Sequence, residues 1–241
     1  MIGDSLTYLR ESDDALATVL VGGVLLLLGF LLVPLFTVAG YLVRVLRRTA
    51  DGDERPPAFD DWAEMTLEGV FASVVGFVYF VLPSLVVGLV GVLAVGAFLV
   101  VVPGEPSPAP TLSPLVVFAI TLAIVVGSLL LWLVGLYAGP AAVTNYATTG
   151  RLGAAFSGRS LWRAVTTREY ATAWLSAALV LFVASVLGGL LAATLVGGLL
   201  TSFVTFYALV AAAYLLGRSW SDVRAERRRS ESVASDERPT V

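Results

Sequence analysis

"YATAWLSAALVLFVASVLGGLLAATLVGGLLTSFVTFYALVAAAYLLG", residues 170–217, contains no Asp, Glu, Arg or Lys. The hydrocarbon core of a bilayer is about 30 Å thick and takes about 20 apolar residues per helix. The stretch is therefore long enough for two spans joined by a turn, expected near Gly188-Gly189 or Gly197-Gly198. Residues 16–43, 69–102 and 115–145 are likewise free of charge. Composition agrees, with 58% hydrophobic residues, 14% charged and a mean hydropathy of +0.89, whereas soluble domains carry about 25% charged residues.

The predicted fold is an all-α, polytopic transmembrane helical bundle with short interfacial helices. Five spans are expected, about 15–46, 66–102, 114–146, 169–191 and 195–217, in one integral membrane domain covering 1–220. Residues 221–241 are expected to form a polar, disordered tail. Pro34 and Pro83 fall inside the first two spans, where the missing N–H and the ring clash predict kinks. "VPGEPSPAPTLSP", residues 102–114, is too rich in Pro to be helical and reads as a loop. Between the third and fourth spans, Leu161, Trp162 and Val165 share part of a face against Arg159, Arg163 and Thr166, the pattern of a helix lying in the interface.

All fifteen basic residues are Arg. With five spans and the N-terminus outside, every Arg but Arg10 falls on the cytoplasmic side, as the positive-inside tendency requires. A sixth crossing or a re-entrant turn at Pro34 or Pro83 would bring the N-terminus inside, and the lone Arg10 barely resists that. The C-terminus is expected in the cytoplasm and the protein in the cell membrane. The N-terminal "MIGDSLTYLRESDD" has no basic n-region or cleavage site, so no removable signal peptide is expected.

The chain has no Cys and no His, which removes the thiol nucleophile, the usual neutral-pH base and the commonest metal ligands. No catalytic residue, metal, cofactor or nucleic-acid partner is expected. In "RPPAFDDWAEMTLEGV", residues 55–70, Asp61 and Glu64 have capping-box spacing at the start of a helix. Trp62 beside them suits the headgroup zone. A metal site of Asp60, Asp61 and Glu64 is disfavoured, because adjacent residues diverge by about 100° on a helix.

Small residues recur at four-residue spacing at Gly135 and Gly139, and at Ser185, Gly189, Ala193 and Gly197, which suits close packing between helices, within the chain or between copies. The second set fails as a continuous ridge if the turn falls within it. Thr144 and Asn145 follow Pro140 and read either as interfacial polar residues or as the lining of a solute site. No intramembrane charge marks an ion-coupled path. The function expected is that of a non-enzymatic membrane component packing with itself, with lipid or with a partner protein. The alternative is a permease or facilitator subunit for a small neutral or apolar solute.

The segments "SDDALATVLVGG", "GYLVRVLRRTADGD", "PPAFDDWAEMTLEG" and "FVTFYALVAAAYLLGRSW" together resemble the uncharacterised archaeal and bacterial membrane proteins of domain-of-unknown-function family 4013, common in haloarchaea. The P-x-F-D-D-W element is the most specific part. The resemblance implies a shared membrane fold without an assigned activity, and it makes Pro57, Phe59, Asp60, Asp61 and Trp62 a family signature.

Overall fold

A computed structural model describes residues 2–11, 14–101 and 114–236, and among these every regular element is helical. In chain order they are α1 (Ile2–Thr7), α2 (Ala15–Leu27), α3 (Val33–Ala50), α4 (Trp62–Gly76), α5 (Leu82–Val101), α6 (Pro114–Thr149), α7 (Leu152–Ala155), α8 (Gly158–Val165), α9 (Arg168–Leu191) and α10 (Leu195–Asp236). Four stretches are long and apolar enough to cross a bilayer: Trp62–Leu93, Phe118–Thr149, Arg168–Leu191 and Leu195–Val223. Ala15–Leu27 is equally apolar but shorter. Most of the Pro-rich segment, residues 102–113, lies outside the described residues. The polar end, expected to be disordered from residue 221, continues α10 as helix through Asp236, and its Ala, Arg and Glu are all strong helix formers.

The first apolar run is not one kinked helix. After α2 the chain makes a 3-10 turn at Gly29–Leu31, and Leu32 takes a left-handed φ of 62°. Pro34 then sits in the first turn of α3, where its missing N–H breaks no helical bond. Both arms pack on α10. From α2, Gly22 and Gly23 lie flat under the rings of Phe206 and Phe203, 2.2 Å and 2.1 Å from where a Cβ would stand. From α3, the Tyr41 ring lies 5.6 Å from that of Phe206.

The two ends of this hairpin meet the same end of α10. Tyr8, which precedes α2, has its ring 4.7 Å from Tyr214, and Thr49, near the end of α3, abuts Gly217. Tyr8 Oη also donates to the Arg55 carbonyl at 3.3 Å, and burial raises its pKa and keeps the phenol protonated. The N-terminal segment therefore shares a side with the 51–61 loop. Residues 15–50 thus form a hairpin whose two ends lie at the same end of α10. A 13-residue α2 measures about 20 Å, short of the roughly 30 Å hydrocarbon core.

The turn between α9 and α10 falls at Ala192–Thr194, between the two Gly pairs, which are both helical. Thr194 sets it by capping α10, accepting from the Gly197 N–H at 3.0 Å. Thr201 Oγ1 donates to the Gly188 carbonyl at 3.1 Å and ties the arms together. At their other ends, Tyr170 and Trp220 meet edge to face.

The chain divides into two compact units, residues 76–139 and the remainder. Within 76–139, a π turn at Phe77–Val81 precedes α5, with the Leu82 N–H donating to the Phe77 carbonyl five residues back. This wider turn absorbs Pro83, which has no N–H to offer the carbonyl of Tyr79. That carbonyl lies against Gly135, only 2.3 Å from where a Cβ would stand, and the Phe80 ring covers Gly139.

Candidate functional site

The polar island 55–70 folds onto the end of α3 as a clamp. Arg44, on α3, is its centre: Nη1 lies 2.6 Å from Asp60 Oδ1, Nε 3.2 Å from Glu68 Oε2, and Nη2 3.8 Å from Glu64 Oε2. Arg47, one turn further, reaches the other Glu68 oxygen at 2.7 Å and donates from Nε to the Ala147 carbonyl at 2.8 Å. Glu68 is thus held by two guanidinium groups with a side chain only 14% exposed, and its backbone carbonyl accepts from Tyr146 Oη at 3.5 Å. The clamp borders a cleft of about 240 Å³ whose lining includes Arg48, Pro57, Asp61 and Glu64. Nearby, Arg218 pairs with Glu54.

Each signature residue has a place in this clamp. Pro57 is buried. Phe59 stacks face to face on Tyr41, with centroids 4.3 Å apart, and is followed by Trp62 at 5.7 Å. Asp60 pairs with Arg44 through both its carboxylate and its carbonyl. Asp61 precedes α4 and its carbonyl accepts from the Met65 N–H, but its φ is 45°. A side-chain cap needs an extended residue at this position. Among the described residues neither Asp61 nor Glu64 makes the capping-box bonds its spacing suggested, and Glu64 leans towards Arg44 instead.

Thr144 and Asn145 are buried rather than exposed at the interface. Asn145 Nδ2 donates to the Ala154 carbonyl at 2.7 Å and to Ser160 Oγ at 3.2 Å. Thr144 Oγ1 returns to the Pro140 carbonyl of its own helix at 2.8 Å. Asn145 therefore pins the end of α6 to the α7–α8 segment, while Thr144 bonds only within α6. On α8, Leu161 and Ala164 face inward, while Trp162 stands 71% exposed. At about 100° per residue, Trp162 lies about 60° from both Arg159 and Val165, so it sits at the border of the two faces, and its exposure puts it on the outward side.

Of the small-residue sets, Gly135 and Gly139 meet Tyr79 and Phe80. Ser185 bonds to its own Phe182 carbonyl, Gly189 has nothing within 4 Å, and Ala193 lies in the turn, so this set forms no continuous ridge. Gly197 lies against the Leu191 carbonyl across the turn, and the close backbone contacts between α3 and α4 use two other glycines. A Cβ on Gly69 would stand 1.7 Å from the Phe36 carbonyl oxygen, and one on Gly40 would stand 1.8 Å from that of Met65. Thr37 and Thr66 hydroxyls bond across the same crossing at 2.8 Å. Gly40 has no small residue at four-residue spacing in its own helix, whereas Gly69 has Ser73. The readable signal was Glu68, a carboxylate placed one turn inside an apolar span.

Four long apolar helices and a shorter fifth among the described residues define a polytopic helical membrane protein. The family model described as "Protein of unknown function (DUF4013)" matches residues 24–193, so the chain belongs to that family. The match takes in most of the hairpin, the clamp and α9, and stops in the turn before α10. No curated protein and no solved structure significantly matches the chain.

Proposed function

We propose that the protein is a non-enzymatic component of the cell membrane that works by packing, against lipid and against itself or a protein partner. The observation that carries this reading is the use made of Asn145. The one amide side chain of the protein is buried and spends both donors on Ala154 and Ser160, so it serves the fold and not a passing solute. The clamp supports the same reading, because its carboxylates are neutralised by Arg44 and Arg47 and so are poorly placed for acid–base work. Outward-facing side chains such as Phe30, Leu115 and Leu195 are exposed and apolar, which suits contact with acyl chains or another helix.

The loop at 51–61, the N-terminal segment and the end of α10 face the cytoplasm in this reading, since together they gather the arginines of their unit on one side. Reconstituted in liposomes, the protein gives no ion flux and no uptake of small neutral solutes. Transport that is lost in Asn145→Ala, with the fold intact, would replace this reading with the permease one. Single cysteines at Gly52 and Ser235, in a chain without thiols, report the orientation. Labelling of either by an impermeant reagent in intact cells overturns it.

A further inference from the structure

Arg44, Arg47 and Arg218 are each paired with carboxylates. The arginines of the 150–168 segment are not. Arg151, Arg159, Arg163 and Arg168 are exposed, and none of them makes an ion pair among the described residues. Between residues 106 and 221 the sequence supplies a single carboxylate, Glu169. This segment is therefore locally cationic in a protein whose net charge is −3.

We propose that α8 and its flanks, with Arg151, Arg159, Arg163 and Trp162, form a binding surface for the headgroups of anionic phospholipids. Three observations select this occupant. One span ends at Thr149 and the next begins at Arg168, so the intervening residues are confined to the membrane surface. Arg159 and Arg163 lie one turn apart on the outward face of α8, with Trp162 exposed about 60° from Arg159 around the helix and Phe156 exposed nearby. An indole beside guanidinium groups is the combination that settles at headgroup depth, with the ring among the upper acyl carbons and the cations among the phosphates. The inward face, Leu161 and Ala164, is buried, and Ser160 is bonded to Asn145, so α8 presents its cations in a fixed orientation. This inference rests on the lipid-packing reading above and names the lipid class.

The test uses the purified full chain in neutral detergent micelles, doped with phosphatidylglycerol or phosphatidylcholine and read by native mass spectrometry. Selective retention of phosphatidylglycerol is expected. Replacing Arg151, Arg159 and Arg163 together by Gln weakens it about fivefold per residue, on the order of a hundredfold in all, and replacement by Lys restores most of it. Trp162→Ala weakens retention of both lipids, because the ring contacts acyl carbons common to the two. Equal retention of the two lipids by the native chain, or undiminished selectivity in the Gln variant, overturns the proposal. So does displacement by inorganic phosphate or polyglutamate at matched charge, which assigns the surface to a free anion or to an acidic protein segment. Flux through reconstituted protein would overturn the reading of the previous subsection and leave this selectivity where it is.

Discussion

Replacing Gly69 by Ala adds one methyl group where two helices touch backbone to backbone. Its Cβ would lie 1.7 Å from the Phe36 carbonyl oxygen and 2.7 Å from the Gly40 nitrogen. An ordinary carbon–oxygen contact is about 3.3 Å, so α3 and α4 must separate locally by about 1.6 Å, and no side-chain rotation can relieve the clash. Overpacking of a rigid contact costs about 1 to 3 kcal/mol, sometimes more. Here the separation also strains the Thr37–Thr66 bond and the seat of Glu68, so a loss of about 3 kcal/mol or more is expected. The same change at Gly88, Gly91 or Gly189, where nothing lies within 4 Å, gains helix propensity of about 0.5 to 1 kcal/mol. The assay is reversible unfolding in mixed micelles, with all four variants run in parallel. If Gly69→Ala unfolds at the midpoint of Gly88→Ala, the two helices do not cross at Gly40 and Gly69.

Replacing Glu68 by Ala takes the shared carboxylate from Arg44, which keeps Asp60, and from Arg47, which keeps the Ala147 carbonyl, and should cost about 1 to 3 kcal/mol, with Gln, which keeps one acceptor, costing about half. A double-mutant cycle with Arg44→Ala should return a coupling of about 1 to 3 kcal/mol, and zero coupling would remove the clamp from the account. Asn145→Ala leaves the Ala154 carbonyl without this donor and should destabilise by about 1 to 3 kcal/mol, loosening α8 as read by faster amide exchange at 158–165. At Asp61, held at φ 45°, Asn and Gly should be nearly silent and Ala should cost about 1 kcal/mol, because Gly has no Cβ to clash and the short polar side chain of Asn can offset the clash locally, which Ala cannot. An Ala variant as stable as the Asn variant would remove the left-handed backbone at Asp61 from the account.

Membrane residence, the helical class and the approximate bounds of the long spans followed from the sequence by itself, because they depend only on consecutive apolar residues and on the thickness of hydrocarbon they must cross. The 51–61 loop and the 192–194 turn were legible for the same reason, as breaks in those runs or limits to their length. Pro34 was ambiguous, since a proline inside a kinked helix and one opening a new helix read alike locally. The reversal at Leu32 was decided by Gly22, Gly23 and Tyr41 all meeting α10. The signature at 57–62 was visible, but its partners were not: Arg44 and Tyr41 lie on the preceding helix, and ion pairing and ring stacking carry no periodicity. Gly40 and Gly69 escaped for a related reason. Gly69 and Ser73 stand four apart in α4, but Gly40 has Phe36 and Arg44 at that spacing, and only the crossing decides which glycines of two helices meet.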